Sequence, residues 1–188
     1  MFDPTHRYWL LTWTTYGTWL PGDDRGFVSP VRKSSHDRWR RQNVPGTNYS
    51  RAMTGLKNAA QSRLKCPPIV LSLPHATRLM QQFHETAEYR AWQNVAVAIM
   101  RTHVHLLVSV LGDPEPEKIL QDFKAYGSRA LNTGWEKPAS GTWWTESGSK
   151  RKKASYAALV NSIRYVASQA NPLLVWIHPD WRSVLESP

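Results

Sequence analysis

Two histidines two residues apart, His103 and His105, lie in the apolar run Met100-Arg101-Thr102-His103-Val104-His105-Leu106-Leu107-Val108. Successive side chains of a strand alternate between faces, so both imidazoles must share one face. Two imidazoles on one face can bind a single divalent cation. Val104, Leu106 and Val108 then fall on the opposite face and anchor the strand. Alone, a His-x-His pair says little. It gains meaning from Tyr165-Val166-Ala167-Ser168-Gln169 near the other end of the chain.

Residues Ser155 to Ala170 read as a helix that stops near Asn171-Pro172. At about 100° per residue, Leu159, Val166, Ala170 and Tyr156 lie within about 60° of Ile163 and form its core stripe. Tyr165 sits at about 200° and Gln169 at about 240°, stacked one turn apart on the other face. On the preceding helix Tyr126 falls beside Phe123, Ile119 and Ala130, which assigns it to the core. A cation held by His103, His105 and the Gln169 amide oxygen leaves positions open for a scissile phosphate. The Tyr165 phenolate can then attack phosphorus and keep the bond as a phosphotyrosine, so a break can be rejoined. Asn171, beside the helix-ending Pro172, is an alternative third ligand should the last turn unwind.

These residues need a scaffold. Tyr8–Thr14 reads as a first strand and 95–100 and 103–110 as a hairpin turning at Arg101-Thr102. Helices are expected from Pro74 to Trp92, with Leu79, Met80 and Phe83 inward, and from Glu117 to Asn132. Ile69-Val70-Leu71 is a short apolar stretch suited to a sheet edge. Residues 29–68 form a long basic insertion or loop with a short helix around 55–65, and 173–188 a C-terminal tail that packs back through Trp176 and Trp181. This order suggests a single α+β domain over 1–188, a ferredoxin-like antiparallel sheet with helices packed on one face.

The chain of 188 residues carries a formal charge of +10, which favours a polyanionic partner, nucleic acid before membrane. No apolar run reaches the roughly 18 residues of a membrane span, and no signal peptide is visible. The single cysteine, Cys66, excludes an intrachain disulfide and points to a reducing, cytoplasmic setting. Arg38-Trp39-Arg40-Arg41 and Lys150-Arg151-Lys152-Lys153 are the densest cationic runs and candidate DNA contacts, Trp39 offering a stacking plane. His36, His75, His84 and His178 have no partner at ligand spacing and read as surface or capping residues.

The strand and helix motifs together resemble the single-tyrosine HUH transposases of bacterial insertion sequences, especially the REP-associated tyrosine transposase branch. That family's strand motif reads Met-Pro-Asn-His-Val-His; Met100, His103, Val104 and His105 match, with Arg101 and Thr102 replacing Pro and Asn. Tyr165 and Gln169 match its tyrosine and the amide four residues later. The helix bearing Lys124, Ser128, Arg129 and Asn132, and the pair Trp143-Trp144, resemble the branch's middle region, making Lys124 and Arg129 further DNA contacts. The resemblance implies a Mg²⁺- or Mn²⁺-dependent enzyme with an RRM-like sheet and the histidines at its centre. It implies recognition of a hairpin in single-stranded DNA, cleavage beside it and retention of the 5′ end on Tyr165. It further implies a bacterial, nucleoid-associated protein acting as monomer or homodimer. Two alternatives compete: a non-catalytic, domesticated hairpin-binding protein, and a hydrolytic metalloenzyme.

Overall fold

In the computed structural model, the described residues are 3–24 and 53–186. Arg38, Trp39, Arg40, Arg41 and His36 lie outside them. The frame is built from β1 (His6–Thr14), β2 (Gln93–Ile99) and β3 (His103–Leu111), with two edge strands, β4 (Ser149–Lys153) and β5 (Leu174–Ile177). Their spatial order is β4-β1-β3-β2-β5, every pairing antiparallel. The strand with both histidines is therefore the central one. The β2–β3 turn has Arg101-Thr102 at its tip, closed by Met100 N–H donating to the His103 carbonyl at 2.8 Å. Leu71 N–H donates to the Arg101 carbonyl and Thr15 N–H to that of Thr102, so the start of β3 is tied down from two sides.

The helices are α1 (Thr54–Gln61), α2 (Leu73–Tyr89), α3 (Pro116–Gly134) and α4 (Tyr156–Ala167). Period-two alternation divides the strands between two cores. Leu11, Trp13, Val97, Ile99, Val104, Leu106, Val108 and Val110 face α2 and α3, meeting Leu79, Phe83, Ile119, Leu120 and Phe123. Tyr8, Leu10, Ala96, Ala98 and Leu107 face α4, meeting Leu159, Val160, Ile163 and Val166. The α+β antiparallel architecture is as expected, but its helices occupy both faces: α2 and α3 form the ferredoxin-like layer, and α4 crosses the reverse face. The reason is the sheet itself. The central strands are apolar on both sides, so each face needs a cover.

Several local expectations are corrected. Ile69–Leu71 is not a sheet edge; Ile69 N–H donates to the Tyr16 carbonyl, and buried Leu71 plugs into the core beside the turn. Tyr156 is 53% exposed, because it begins α4 and projects past the sheet, tilted against Trp181. Tyr126 is half-buried at the rim, between Tyr89 and the guanidinium of Arg129. Helix α4 ends at Ala167, and Asn171 takes a left-handed φ of 54° as the chain reverses into β5. In the tail, the 3-10 turn Pro179–Leu185 buries Trp181 and Val184 against the α4 core.

Strand β4 is invisible to pattern reading, since Ser-Lys-Arg-Lys-Lys has no apolar alternation. It exists because the edge of β1 offers unpaired backbone groups and the chain leaves Gly148 in a space only glycine fits. A Cβ there would lie 2.8 Å from the Thr12 carbonyl oxygen and 3.1 Å from the Trp13 Cβ. Gly148→Ala must push β4 off β1, and we expect a loss of about 1–3 kcal/mol in a urea unfolding titration. Unchanged stability would show that β4 is not held against β1 at this point.

Candidate active site

The antiparallel register sets Thr12 opposite His105 and Thr14 opposite His103, so β1 lines the flank of the paired imidazoles. His103 and His105 share a face, as alternation requires, with ring centroids 4.8 Å apart and nearly perpendicular. Thr102 Oγ1 lies 3.1 Å from His103 Nδ1, and Thr12 Oγ1 2.9 Å from His105 Nδ1. His105 is 4% exposed. Burial lowers its pKa to about 4, the neighbouring His103 adds to that, and a hydrogen bond with Gln169 opposes it. The ring is thus neutral at physiological pH, the state that ligates cations.

Acid should therefore destabilise the chain, measured with chelator present. Above pH 6.5 the ring is neutral both folded and unfolded. Below it the unfolded ring takes up a proton that the folded ring refuses down to pH about 4. Stability contributed by the neutral ring should fall by about 3 kcal/mol across that window. His105→Gln should flatten that part of the pH–stability curve; an identical curve would dismiss the ring as its origin.

Helix α4 brings the second half of the site. Ser155 caps it, its side chain accepting from Ala158 N–H, and Leu159, Ile163 and Val166 dock it on the sheet. That docking fixes which residues look back toward β3. The Tyr165 ring is 5.2 Å from that of His105, edge to face, yet Tyr165 remains 47% exposed. Gln169 lies just beyond the helix end; its Nε2 donates to the Tyr165 carbonyl at 2.8 Å. With the amide nitrogen turned to the helix, the Gln169 oxygen is left for the imidazole side. Asn171 is exposed at the chain reversal. One chain alone thus brings His103, His105, Tyr165 and Gln169 together.

Among the described residues, no three His, Cys, Asp or Glu side chains gather into a metal-holding group. The donors here are two imidazoles and a carboxamide, a mixed nitrogen–oxygen set that suits a divalent cation and leaves coordination positions open. His75, His84 and His178 play structural parts. His75 closes a capping box with Ser72 and stacks on Trp135, His178 caps the 3-10 turn, and His84 packs edge-on against Trp176.

The basic residues sort by face. Opposite residues of an antiparallel pair point the same way, and Arg151 pairs with Leu10 and Lys153 with Tyr8, both on the α4 side. Burial, then the charge of Arg151, pulls Lys153 below the usual lysine range. Lys150 and Lys152 pair with Leu11 and Trp9 on the α2–α3 side. There Lys150 binds Glu117, and Lys152 lies 3.6 Å from Asp113 and over the Trp9 ring. Lys124 differs from the expected phosphate contact: its ammonium donates to the carbonyls of Thr145, Glu146 and Ser147, clamping the loop that leads into β4. Trp143 and Trp144 are buried, donating to Asn132 Oδ1 and the Lys124 carbonyl, so they are core and not stacking surfaces. Sequence reading missed Thr12 and Thr102, whose contacts depend on register and rotamer; the alternation of Thr12 with Leu11 and Trp13 was its only trace.

A family model described as "Transposase IS200 like" matches residues 47–169, a span that includes both histidines, the tyrosine and the glutamine. No curated protein matches the sequence. A solved structure of a REP-associated tyrosine transposase bound to a REP hairpin is similar at 10% identity and a TM-score of 0.45. That match covers 85% of this chain and 64% of the other, so the chain spans less than two-thirds of that relative's length. Among the described residues no helix is long and apolar enough to cross a membrane.

Proposed function

The chain belongs to the IS200-like transposase family, and on that premise we propose that it is a metal-dependent single-stranded DNA endonuclease and strand transferase with Tyr165 as nucleophile. The observation that carries this reading is the placement of Tyr165 over His105, with Gln169 one turn beyond, inside a single chain. His103, His105 and the Gln169 oxygen would hold Mg²⁺ or Mn²⁺. Such an ion, when bound, neutralises charge on the phosphoryl oxygens and orients the phosphate for in-line attack.

The chain's own residues supply the rest. Tyr165 is exposed enough to meet a strand and close enough to the imidazoles to meet the phosphate they would position. Its hydroxyl proton passes to water, and the phenolate oxygen bonds to phosphorus. The bond from phosphorus to the departing 3′ oxygen breaks, and that oxygen takes a proton from solvent. The product pair is a 5′-phosphotyrosine and a free 3′-hydroxyl, which can recombine. Recognition of a DNA hairpin follows from the resemblance of the histidine and tyrosine motifs to the REP-associated branch. Because all four residues lie within reach of one another in one copy, the proposal has Tyr165 acting in cis, on the cation site of its own chain.

Arg151 and Lys153 are the residues of the basic run on the tyrosine's side of the sheet, and we assign them to the strand's phosphates. Neutralising that pair (R151Q with K153Q) should weaken single-stranded DNA binding. It should also lower the slope of log affinity against log salt by about 1.4, roughly 0.7 for each phosphate that no longer meets a cation. K150Q with K152Q should move the slope much less, because both cations are held by acids on the far face. Equal slopes for the two pairs, read by fluorescence anisotropy across a salt series, would refute the division.

The test of the function itself is a suicide substrate: a single-stranded hairpin with a nicked flank, incubated with the chain and Mn²⁺. A protein–DNA adduct resistant to denaturation supports the proposal. Cutting without an adduct favours a hydrolase, and binding without cutting favours a domesticated hairpin binder.

A further inference from the structure

We propose that Thr12 is a positioning residue for His105: its hydroxyl engages Nδ1, fixes the ring plane and presents Nε2 to the cation site. The inference rests on reading His103 and His105 as a ligand pair, but its geometry stands apart from Tyr165. Thr12 Oγ1 and His105 Nδ1 are 2.9 Å apart, and the two residues are direct cross-strand partners of β1 and β3. The contact joins residues 93 positions apart in sequence, so only the sheet register makes it.

Three features make Thr12 a rigid partner. Its β-branched side chain has few rotamers on a strand. Its backbone is paired on both sides, with β3 through His105 and with β4 through Ser149. Behind it, the missing side chain of Gly148 lets β4 approach the Thr12 carbonyl closely. The hydroxyl also has the chemistry for the task, being both donor and acceptor. It can give its proton to a bare Nδ1. When Nε2 binds a cation, the ring must carry its proton on Nδ1, and the same oxygen then accepts that N–H. Leu10 and Thr14, two positions away on the same face of β1, stand opposite Leu107 and His103, so Thr12 is the β1 side chain set against His105. Thr102 makes the corresponding contact to His103 Nδ1, but from the adjacent turn residue and at 3.1 Å.

The experiment compares the full chain with Thr12→Val, which keeps shape and strand preference but lacks the hydroxyl, and Thr12→Ser, which keeps it. The first readout is Mn²⁺ affinity by electron paramagnetic resonance, without DNA. Thr12→Val should bind Mn²⁺ about 10–100-fold more weakly, the usual cost of losing the group that orients a ligating histidine, and Thr12→Ser should restore most of the affinity. The second readout is the long-range ¹H–¹⁵N spectrum of His105 in the Zn²⁺-loaded chain. The native chain and Thr12→Ser should show Nε2 ligated and Nδ1 protonated, and Thr12→Val a mixture of ring orientations. Native affinity together with a native spectrum in Thr12→Val would overturn the proposal. If Thr12→Val fails to fold, Thr12→Ala carries the same two readouts. A native chain that binds no Mn²⁺, with His105→Ala indistinguishable from it, overturns the ligand reading itself and Thr12's role with it. Normal Mn²⁺ binding without any DNA adduct would instead leave Thr12's role standing and reject only the nuclease function.

Discussion

Tyr165→Phe should abolish the covalent protein–DNA adduct and slow strand cleavage by a factor on the order of 10³ or more, the scale expected when a covalent nucleophile is removed. The change deletes one oxygen from a residue that is 47% exposed, so neither core packing nor a buried hydrogen bond is at stake. Folding and hairpin binding should therefore survive, which separates a chemical defect from a structural one. Tyr156 and Tyr126 serve as controls. The first projects past the sheet toward Trp181, and the second lies against Arg129 on the opposite layer. Phenylalanine at either position should leave the adduct at its native yield. The decisive measurement is adduct formation on denaturing gels with a labelled suicide hairpin. An adduct persisting in Tyr165→Phe would remove Tyr165 from the chemistry.

His105→Ala should eliminate Mn²⁺-stimulated cleavage, with a loss of at least about 10²-fold from transition-state charge stabilisation worth several kcal/mol. Here a structural cost is also expected. The ring is almost fully buried between Thr12, His103 and Tyr165, and its removal leaves a small void and an unpartnered threonine hydroxyl. His105→Gln is the better probe, because it fills most of the space and still offers a polar atom to Thr12. Both variants should retain DNA affinity, since the residues assigned to phosphate, Arg151 and Lys153, lie on β4. His84→Ala and His75→Ala should leave metal dependence untouched, each ring being engaged in packing or capping. Cleavage rates against Mn²⁺ concentration decide the matter. A variant that lacks the His105 imidazole yet keeps the native metal response would disqualify it as a ligand.

How the two halves of the site meet explains which of its features are legible in the sequence. The period of two along 103–108 dictates that His103 and His105 share a face, whatever sheet they join. The angular spacing along 155–167 likewise dictates that Tyr165 lies opposite Ile163 and Leu159. Such features are local, set by backbone geometry over a few residues. The β2–β3 hairpin, the inward Leu79 and Phe83 of α2 and the capping role of His75 are legible for the same reason. Tyr156 and Tyr126 depart from their expected core positions because angle on a helix wheel ignores where the helix begins or where its neighbour ends.

The sequence by itself determined the central hairpin, the tyrosine helix and the chemical types gathered on them, because short-range periodicity fixes which side chains share a face. Only the tertiary structure decided that α4 crosses the sheet face opposite α2 and α3, putting Tyr165 against His105. It alone decided that Ser149–Lys153 is a strand, sending Arg151 and Lys153 to one face and Lys150 and Lys152 to the other. It also set Thr12 against His105. These are matters of register and layer, and they depend on pairing between segments as distant in sequence as Tyr8 and Lys153. Such pairing leaves no periodic signature in a run as polar as Ser-Lys-Arg-Lys-Lys.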